Sequence, residues 1–165
     1  MSNQTTRRLL SELAAFESEP NGIISLAPES DSNLFTWTAL LAPPLDTPYA
    51  HIMSSSKSPW PLPLKLKIPT NYPACPPVIT FPPGLIYHPN VNLKTGEICL
   101  DVLKDQWTPV WRLEGAIRAI GVLIGPGGSE PNSPLNVDAA NLAREGDELA
   151  LRSIAKMYMS RYILG

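Results

Sequence analysis

Between Tyr87 and Trp107 the chain places Cys99, one of its two cysteines, close to His88, one of its two histidines, and Asn90. A thiol, an imidazole and a neutral amide within reach of one loop are the ingredients of acyl transfer through a thioester. A thioester carbonyl is already activated, so such a site must position it and stabilise developing negative charge more than it needs a strong base. Asn90 can supply an N–H donor to the oxyanion, an interaction whose loss typically costs about 2.7–4 kcal/mol. A turn asparagine also satisfies loop backbone groups, and the two roles can coexist. His88 has two readings, general base or brace bonded to nearby backbone, and its place in the turn His88-Pro89-Asn90 favours the brace.

Other chemistries fit less well. Cys75 is a rival nucleophile, but it sits in a proline-rich turn without a neighbouring cation or helix N-terminus to depress its pKa. A papain-like hydrolase wants its cysteine early and its histidine far downstream, the reverse of His88 before Cys99. Two cysteines and two histidines without paired spacing do not make a zinc site. His51 has no assigned chemistry. Asp101, two residues after Cys99, is a carboxylate near the thiol or simply a cap for the turn that follows it. A net charge of -2 argues against a nucleic-acid partner, which would call for a basic stripe. The cysteine usage fits a reducing compartment. The first residues hold no apolar signal region, Tyr-Ile-Leu-Gly at the end is not a peroxisomal signal, and no apolar run nears the roughly 20 residues that span a bilayer. Direct membrane insertion is therefore not expected, and work at a membrane would require a partner.

The elements that position these residues read as an α+β arrangement in one domain over residues 1–165. Leu9, Leu13 and Phe16 recur at helical spacing and predict a helix over Asn3 to Ser18, ended by Pro20-Asn21-Gly22, with Arg7 and Arg8 near its exposed side. Strands are predicted at Ile23 to Ala27, Leu34 to Leu41, Leu62 to Ile68 and Val78 to Phe81, with a polar turn from Glu29 to Asn33. Leu62, Leu64, Leu66 and Ile68 alternate with Pro63, Lys65, Lys67 and Pro69, so one face is core and the other wet. Short connections favour an antiparallel meander, the exception being a long polar loop from Thr47 to Pro61 that contains Ser54-Ser55-Ser56. Nineteen prolines, where average usage of roughly 5% predicts about 8, fit a chain rich in extended and irregular structure. Three further helices follow: a central one from Leu113 to Ile124, stopped by Gly125-Pro126, one from an N-cap at Asp138 to Glu145, and one from Asp147 to Tyr162 with Leu151, Ile154, Tyr158 and Tyr162 on one face.

Several motifs together resemble the ubiquitin-conjugating (E2) family. They are Glu19-Pro20-Asn21-Gly22-Ile23, Tyr72-Pro73-Ala74-Cys75-Pro76-Pro77, His88-Pro89-Asn90, Gly96-Glu97-Ile98-Cys99-Leu100-Asp101 and Trp107-Thr108-Pro109. The resemblance implies a UBC fold in which Cys99 carries ubiquitin as a thioester received from the activating enzyme E1. It implies that Asn90 steadies the oxyanion and that His88 braces its loop. No cofactor is expected, ATP and magnesium being used by the E1 alone. Ala74 and Pro76, and Thr108 and Pro109, fall on the loops where the family meets RING-type E3 ligases, while Arg7 and Arg8 on the first helix are either partner contacts or simply a solvated helix face. Ala74 and Cys75 depart from the family pattern, which implies a modified ligase surface. Where many members have Pro-Asp-Asp-Pro-Leu beside the cysteine, this chain has Pro131-Asn132-Ser133-Pro134-Leu135. The uncharged Ser133 disfavours a lysine acceptor, with a pKa near 10.4, more than a cysteine, near 8.5. Ser133, the long loop ending at Pro61 and the absence of an acidic insertion between Cys99 and Trp107 are similar to the peroxisomal branch. That similarity implies a membrane-anchor partner of the peroxin-22 type and import-receptor substrates. A generic cytosolic or nuclear E2 is the alternative within the family, and an inactive ubiquitin-binding module the alternative outside it.

Overall fold

The computed structural model describes residues 3–18, 22–52 and 57–165; Pro20, Asn21 and Ser54-Ser55-Ser56 lie outside them. Helix α1 (Asn3–Ser18) is followed by strands β1 (Ile23–Ser30), β2 (Asn33–Leu41), β3 (Leu62–Lys67) and β4 (Val78–Thr80). A 3-10 turn (Asp101–Leu103) and helices α2 (Leu113–Ile124), α3 (Val137–Glu145) and α4 (Glu148–Leu164) complete the order. The strands form one antiparallel meander in chain order, as the short connections predict.

Alternation does what the sequence expects of it. Leu62, Leu64 and Leu66 are buried while Lys65 and Lys67 face outward, and Trp37 pairs with Leu66 across β2 and β3. Four strand ends differ, β2 starting at Asn33 and β3 stopping at Lys67, each one residue from the expected bound. β1 runs on through Pro28 and Glu29 to Ser30, which pairs with Asn33, so the polar turn shrinks to Asp31 and Ser32. β4 stops at Thr80 because the Phe81 N–H leaves the ladder and donates to the Gly96 carbonyl at 3.0 Å. That crossing leaves no room at Gly96: with φ at +76°, a Cβ would lie 1.7 Å from the Phe81 carbonyl oxygen.

Helix α2 covers the sheet with Leu113, Ala116, Ile117, Ile120, Leu123 and Ile124. α3 is capped by the Asn136 side chain, which accepts from the Ala139 N–H at 3.1 Å; Asp138 stands in the first turn instead of at the cap. Asp147 caps α4, whose buried line runs through Ala155 and Met159, with Leu151, Ile154 and Tyr158 half-buried beside it and Tyr162 exposed. Part of the long loop is also anchored: Tyr49 is buried and donates its hydroxyl to the Tyr87 carbonyl at 2.7 Å.

α1 holds the largest departure from hydropathy. Its buried stripe is Thr5, Leu9, Glu12 and Phe16, with Leu13 half-buried. The Glu12 carboxylate accepts from Arg8 Nε at 2.6 Å, the Tyr72 hydroxyl at 2.5 Å and the Leu113 N–H at 2.7 Å. The last bond places a negative charge from α1 at the N-terminus of α2, whose own cap residue, Arg112, offers no side-chain bond. Arg8 donates a further bond to the Trp111 carbonyl at 2.7 Å, so it is turned inward; only Arg7 faces solvent.

Replacing Glu12 by Ala strands two charged or polar side chains and a helix N-terminal N–H. The expected loss is about 3–5 kcal/mol in urea unfolding, with a smaller loss for Glu12→Gln, which keeps the shape and an acceptor.

Candidate active site around Cys99

The loop after β4 is built from short-range bonds. Asn92 accepts the Lys94 and Thr95 N–H groups on its side chain and the Gly96 N–H on its carbonyl, closing a tight turn that returns the chain past Val91. The return brings the Cys99 N–H to the Asn90 carbonyl at 2.8 Å. Cys99 and Cys75 are both free thiols, Cys99 half-buried and Cys75 exposed.

Asn90 is fully buried. Its Nδ2 donates to the Glu130 carbonyl at 2.9 Å and the Ser133 carbonyl at 3.2 Å, and its Oδ1 accepts from the Glu130 N–H at 2.8 Å. One residue earlier, the Pro89 carbonyl accepts the Leu135 and Asn136 N–H groups at 2.8 and 3.0 Å. The segment 130–136 is thereby docked onto the His88-Pro89-Asn90 turn. Asn90 fills the loop-satisfying role, and Ser133 is brought beside it through its main chain.

His88 braces the same turn. It is buried; its Nδ1 accepts from the Asn90 N–H at 3.0 Å, and the ring is also hydrogen-bonded to the Leu123 backbone. Burial pushes its pKa down to about 4 against the opposing pull of the Leu123 bond, so the ring is neutral at pH 7. His88 faces a cavity on the far side of the turn, lined also by Tyr49, Pro126 and Ser129, and is absent from the groove that holds Cys99.

That groove is open and largely apolar. Its walls include Leu100, Asp101 and Val102 after the cysteine, Trp111, Ala119, Val122 and Leu123 from α2 and its lead-in, and Glu130 and Ser133 from the docked segment. Gly128, in the same wall, passes so near the end of α2 that a Cβ would lie 1.9 Å from the Val122 carbonyl oxygen. Asp101 is exposed at the start of the 3-10 turn, where its carbonyl accepts the Lys104 and Gln106 N–H groups; the turn has no side-chain cap. Of the five residues expected at the site, Cys99, Asn90, Asp101 and Ser133 line this groove and His88 does not. Glu130 also lines it, and its only signal in the sequence is its place three residues before Ser133.

The remaining predicted residues form a second face. Ala74, Thr108 and Pro109 are exposed and Pro76 is half-buried. The two loops are joined by Trp107 Nε1, which donates to the Pro73 carbonyl at 2.9 Å, and by packing of the Tyr72 and Trp107 rings, 5.9 Å apart. Glu12 ties both to α1. Arg8 belongs to this internal tie, which removes it from the exposed contact surface expected of it, while Arg7 remains available.

A free thiol backed by a buried asparagine at one end of a groove, on a helix, a four-stranded meander and three further helices, is the architecture of an E2. The sequence model of the ubiquitin-conjugating enzyme family matches residues 8–159, and the chain belongs to that family. It is therefore an E2 transferase, a class that works with ubiquitin, an activating enzyme and a ligase. Its relatives include "Ubiquitin-conjugating enzyme E2 pex4" of Dictyostelium discoideum, 40% identical over 94% of this chain and 97% of that one. "Protein PEROXIN-4" of Arabidopsis thaliana is 44% identical over 78% of this chain and 74% of its own length. Among solved structures, H. polymorpha Pex4p in complex with the soluble domain of Pex22p superposes with a TM-score of 0.82 at 35% identity, covering 94% of this chain and 96% of that one.

The buried neutral His88 makes stability depend on pH. Its folded pKa is depressed from 6.5 to about 4. The unfolded chain therefore binds the proton first, and stability present above pH 6.5 is lost as the pH falls toward 4. The contribution is at most about 3 kcal/mol. Urea unfolding of His88→Gln across this window is expected to show a shallower acid limb than the native protein.

Proposed function

We propose that this E2 takes ubiquitin from the E1 as a thioester on Cys99 and transfers it to a peroxisomal import receptor, with cysteine among its acceptors. The observation that carries the reading is the half-buried Cys99 thiol at the groove, its own N–H held by the carbonyl of Asn90. In transfer, the acceptor adds to the thioester carbonyl, the oxyanion collapses, and the C–S bond breaks to return the Cys99 thiol. Asn90 serves the oxyanion by sharing the N–H of its longer bond, the 3.2 Å contact to Ser133, while its two bonds to Glu130 keep the loop in place. The groove of small and apolar residues suits an extended peptide tail leading to the thioester. The chain's own residues need no cofactor for these steps.

Among the described residues no helix is long and apolar enough to cross a membrane. A seat on the cytosolic face of the peroxisomal membrane would then come from an anchor of the Pex22 kind, the assembly named for the H. polymorpha relative. A RING-type ligase would dock on the face that carries Ala74, Pro76, Thr108 and Pro109, beside Arg7. A generic E2 acting on lysine is the second reading, favoured by the presence of two acidic residues, Asp101 and Glu130, among those that line the groove.

Charging with E1, ATP, magnesium and ubiquitin, followed by a non-reducing gel, tests the carrier step. A thiol-sensitive adduct is expected that survives Cys75→Ala and disappears in Cys99→Ala; no adduct on the native chain with any ubiquitin-like modifier would sink the proposal.

For the acceptor, Ser133→Asp is expected to raise discharge onto lysine relative to cysteine at neutral pH. An unchanged preference would count against a role for the uncharged Ser133.

A further inference from the structure

The chain enters the His88-Pro89-Asn90 turn through the peptide bond from Tyr87 to His88, and three distant parts of the fold hold that entry. The Tyr49 hydroxyl donates to the Tyr87 carbonyl at 2.7 Å, a buried bond that spans 38 residues. The Tyr87 ring stacks on Tyr158 of α4, with centroids 5.6 Å apart and planes 4° from parallel. The His88 ring is bonded to the Leu123 backbone. The last two contacts fix side chains, whereas the first fixes the carbonyl and with it the plane of the peptide that leads into His88. Tyr49 is itself firmly held. It is 4% exposed, and its ring centroid lies 6.4 Å from that of His88. The segment around it is folded by the Thr47 hydroxyl, which donates to the Pro44 carbonyl at 2.6 Å, and by the His51 N–H, which donates to the Tyr49 carbonyl at 2.8 Å. Burial pushes the Tyr49 phenol pKa up, so the hydroxyl stays a donor wherever the enzyme is folded and active.

We propose that Tyr49 is a positioning residue for ubiquitin transfer, its hydroxyl holding the peptide that enters the turn and so the aim of the Asn90 amide at the Cys99 thioester. The proposal rests on the reading of Cys99 as carrier. The connection runs bond by bond. The Tyr87 peptide sets the place of His88, whose Nδ1 accepts the Asn90 N–H at 3.0 Å. Asn90 in turn accepts the Cys99 N–H on its carbonyl at 2.8 Å and bonds its side chain to Glu130 and Ser133. Without the Tyr49 hydroxyl the Tyr87 carbonyl is buried with no donor among the described residues, and a peptide in that state rotates to find one. The rotation passes through His88 to Asn90, and stabilisation of an oxyanion falls off sharply when its donor is displaced. Tyr49 stands behind the turn: it lines the cavity that His88 faces and is absent from the groove that holds Cys99. It therefore acts on the rate without touching the acceptor.

The test uses the whole chain carrying Tyr49→Phe, which keeps the ring and removes only the hydroxyl. Native and variant proteins are charged with ubiquitin, further charging is stopped by chelating magnesium, and discharge is followed onto Nα-acetyl-lysine amide and N-acetyl-cysteine amide over a range of concentrations. The maximal rate should fall about fivefold for both acceptors, since both pass through the same oxyanion, with the acceptor KM unchanged. In proton–nitrogen NMR spectra the Asn90 side-chain amide and the Cys99 N–H should shift. In an Asn90→Ser background Tyr49→Phe should cost no further rate, because the amide through which it acts is gone. A merely structural hydroxyl would lower the urea midpoint and leave the maximal rate of the folded enzyme as it was. That result, a change carried by KM alone, or two losses that multiply independently overturns the proposal. Failure of the native chain to charge at Cys99 would bring down the carrier reading and this inference with it, whereas normal charging with unaltered discharge in Tyr49→Phe would remove only the role of Tyr49.

Discussion

The buried amide of Asn90 is the joint on which the site depends. Its three side-chain bonds go to two main-chain stations, Glu130 and Ser133, while its own backbone serves Cys99 on one side and His88 on the other. Lifting the 130–136 segment from the turn would leave a buried donor and acceptor unpaired, along with the Pro89 carbonyl that receives Leu135 and Asn136. Each unpaired buried group costs about 1–3 kcal/mol. Two stretches of chain far apart in sequence are thereby kept as one wall of the groove. His88 supports the joint because it is neutral and occupied, which makes it a structural part of the site.

Glu12 solves a similar problem where α1 meets the start of α2. A carboxylate is costly to bury unless donors converge on it, and here a guanidinium, a phenol and a helix N-terminal N–H do so. The result is that α1, the Tyr72 loop and the start of α2 form one surface, to which Trp107 adds the neighbouring loop. α2 connects this surface to the thiol. It begins at the Glu12 carboxylate, lines the Cys99 groove with Ala119, Val122 and Leu123, and gives His88 a backbone partner at Leu123. The Ala74 and Thr108 loops and the Cys99 groove are thereby joined through one helix.

Much of the fold is legible in the sequence because its periods are local. The leucine and lysine alternation of β3 and the helical recurrence of Leu113, Ile117, Ile120 and Ile124 announce their own structure and burial. Element ends were less readable, since they are decided by partners elsewhere. Ser30 and Asn33 join the ladder despite their polarity because they pair with each other, and Phe81 leaves it because Gly96 offers a carbonyl. Asn136, not Asp138, caps α3, the choice between two good caps resting on how Pro89 docks the preceding residues.

The order of residues carries the chemical inventory and its address: a thiol at Cys99, an amide at Asn90 a short loop away, an uncharged Ser133, and periodic segments able to hold them on a sheet and helices. Which way the polar side chains turn is set by packing between distant segments. Arg8 faces inward because Glu12 and the Trp111 carbonyl lie there, although its neighbour Arg7 is exposed. Glu130 enters the site because Asn90 captures its main chain. Hydropathy and spacing describe a residue's own segment, whereas these positions follow from hydrogen bonds between segments 40 to 103 residues apart, which come into being only when the chain has packed.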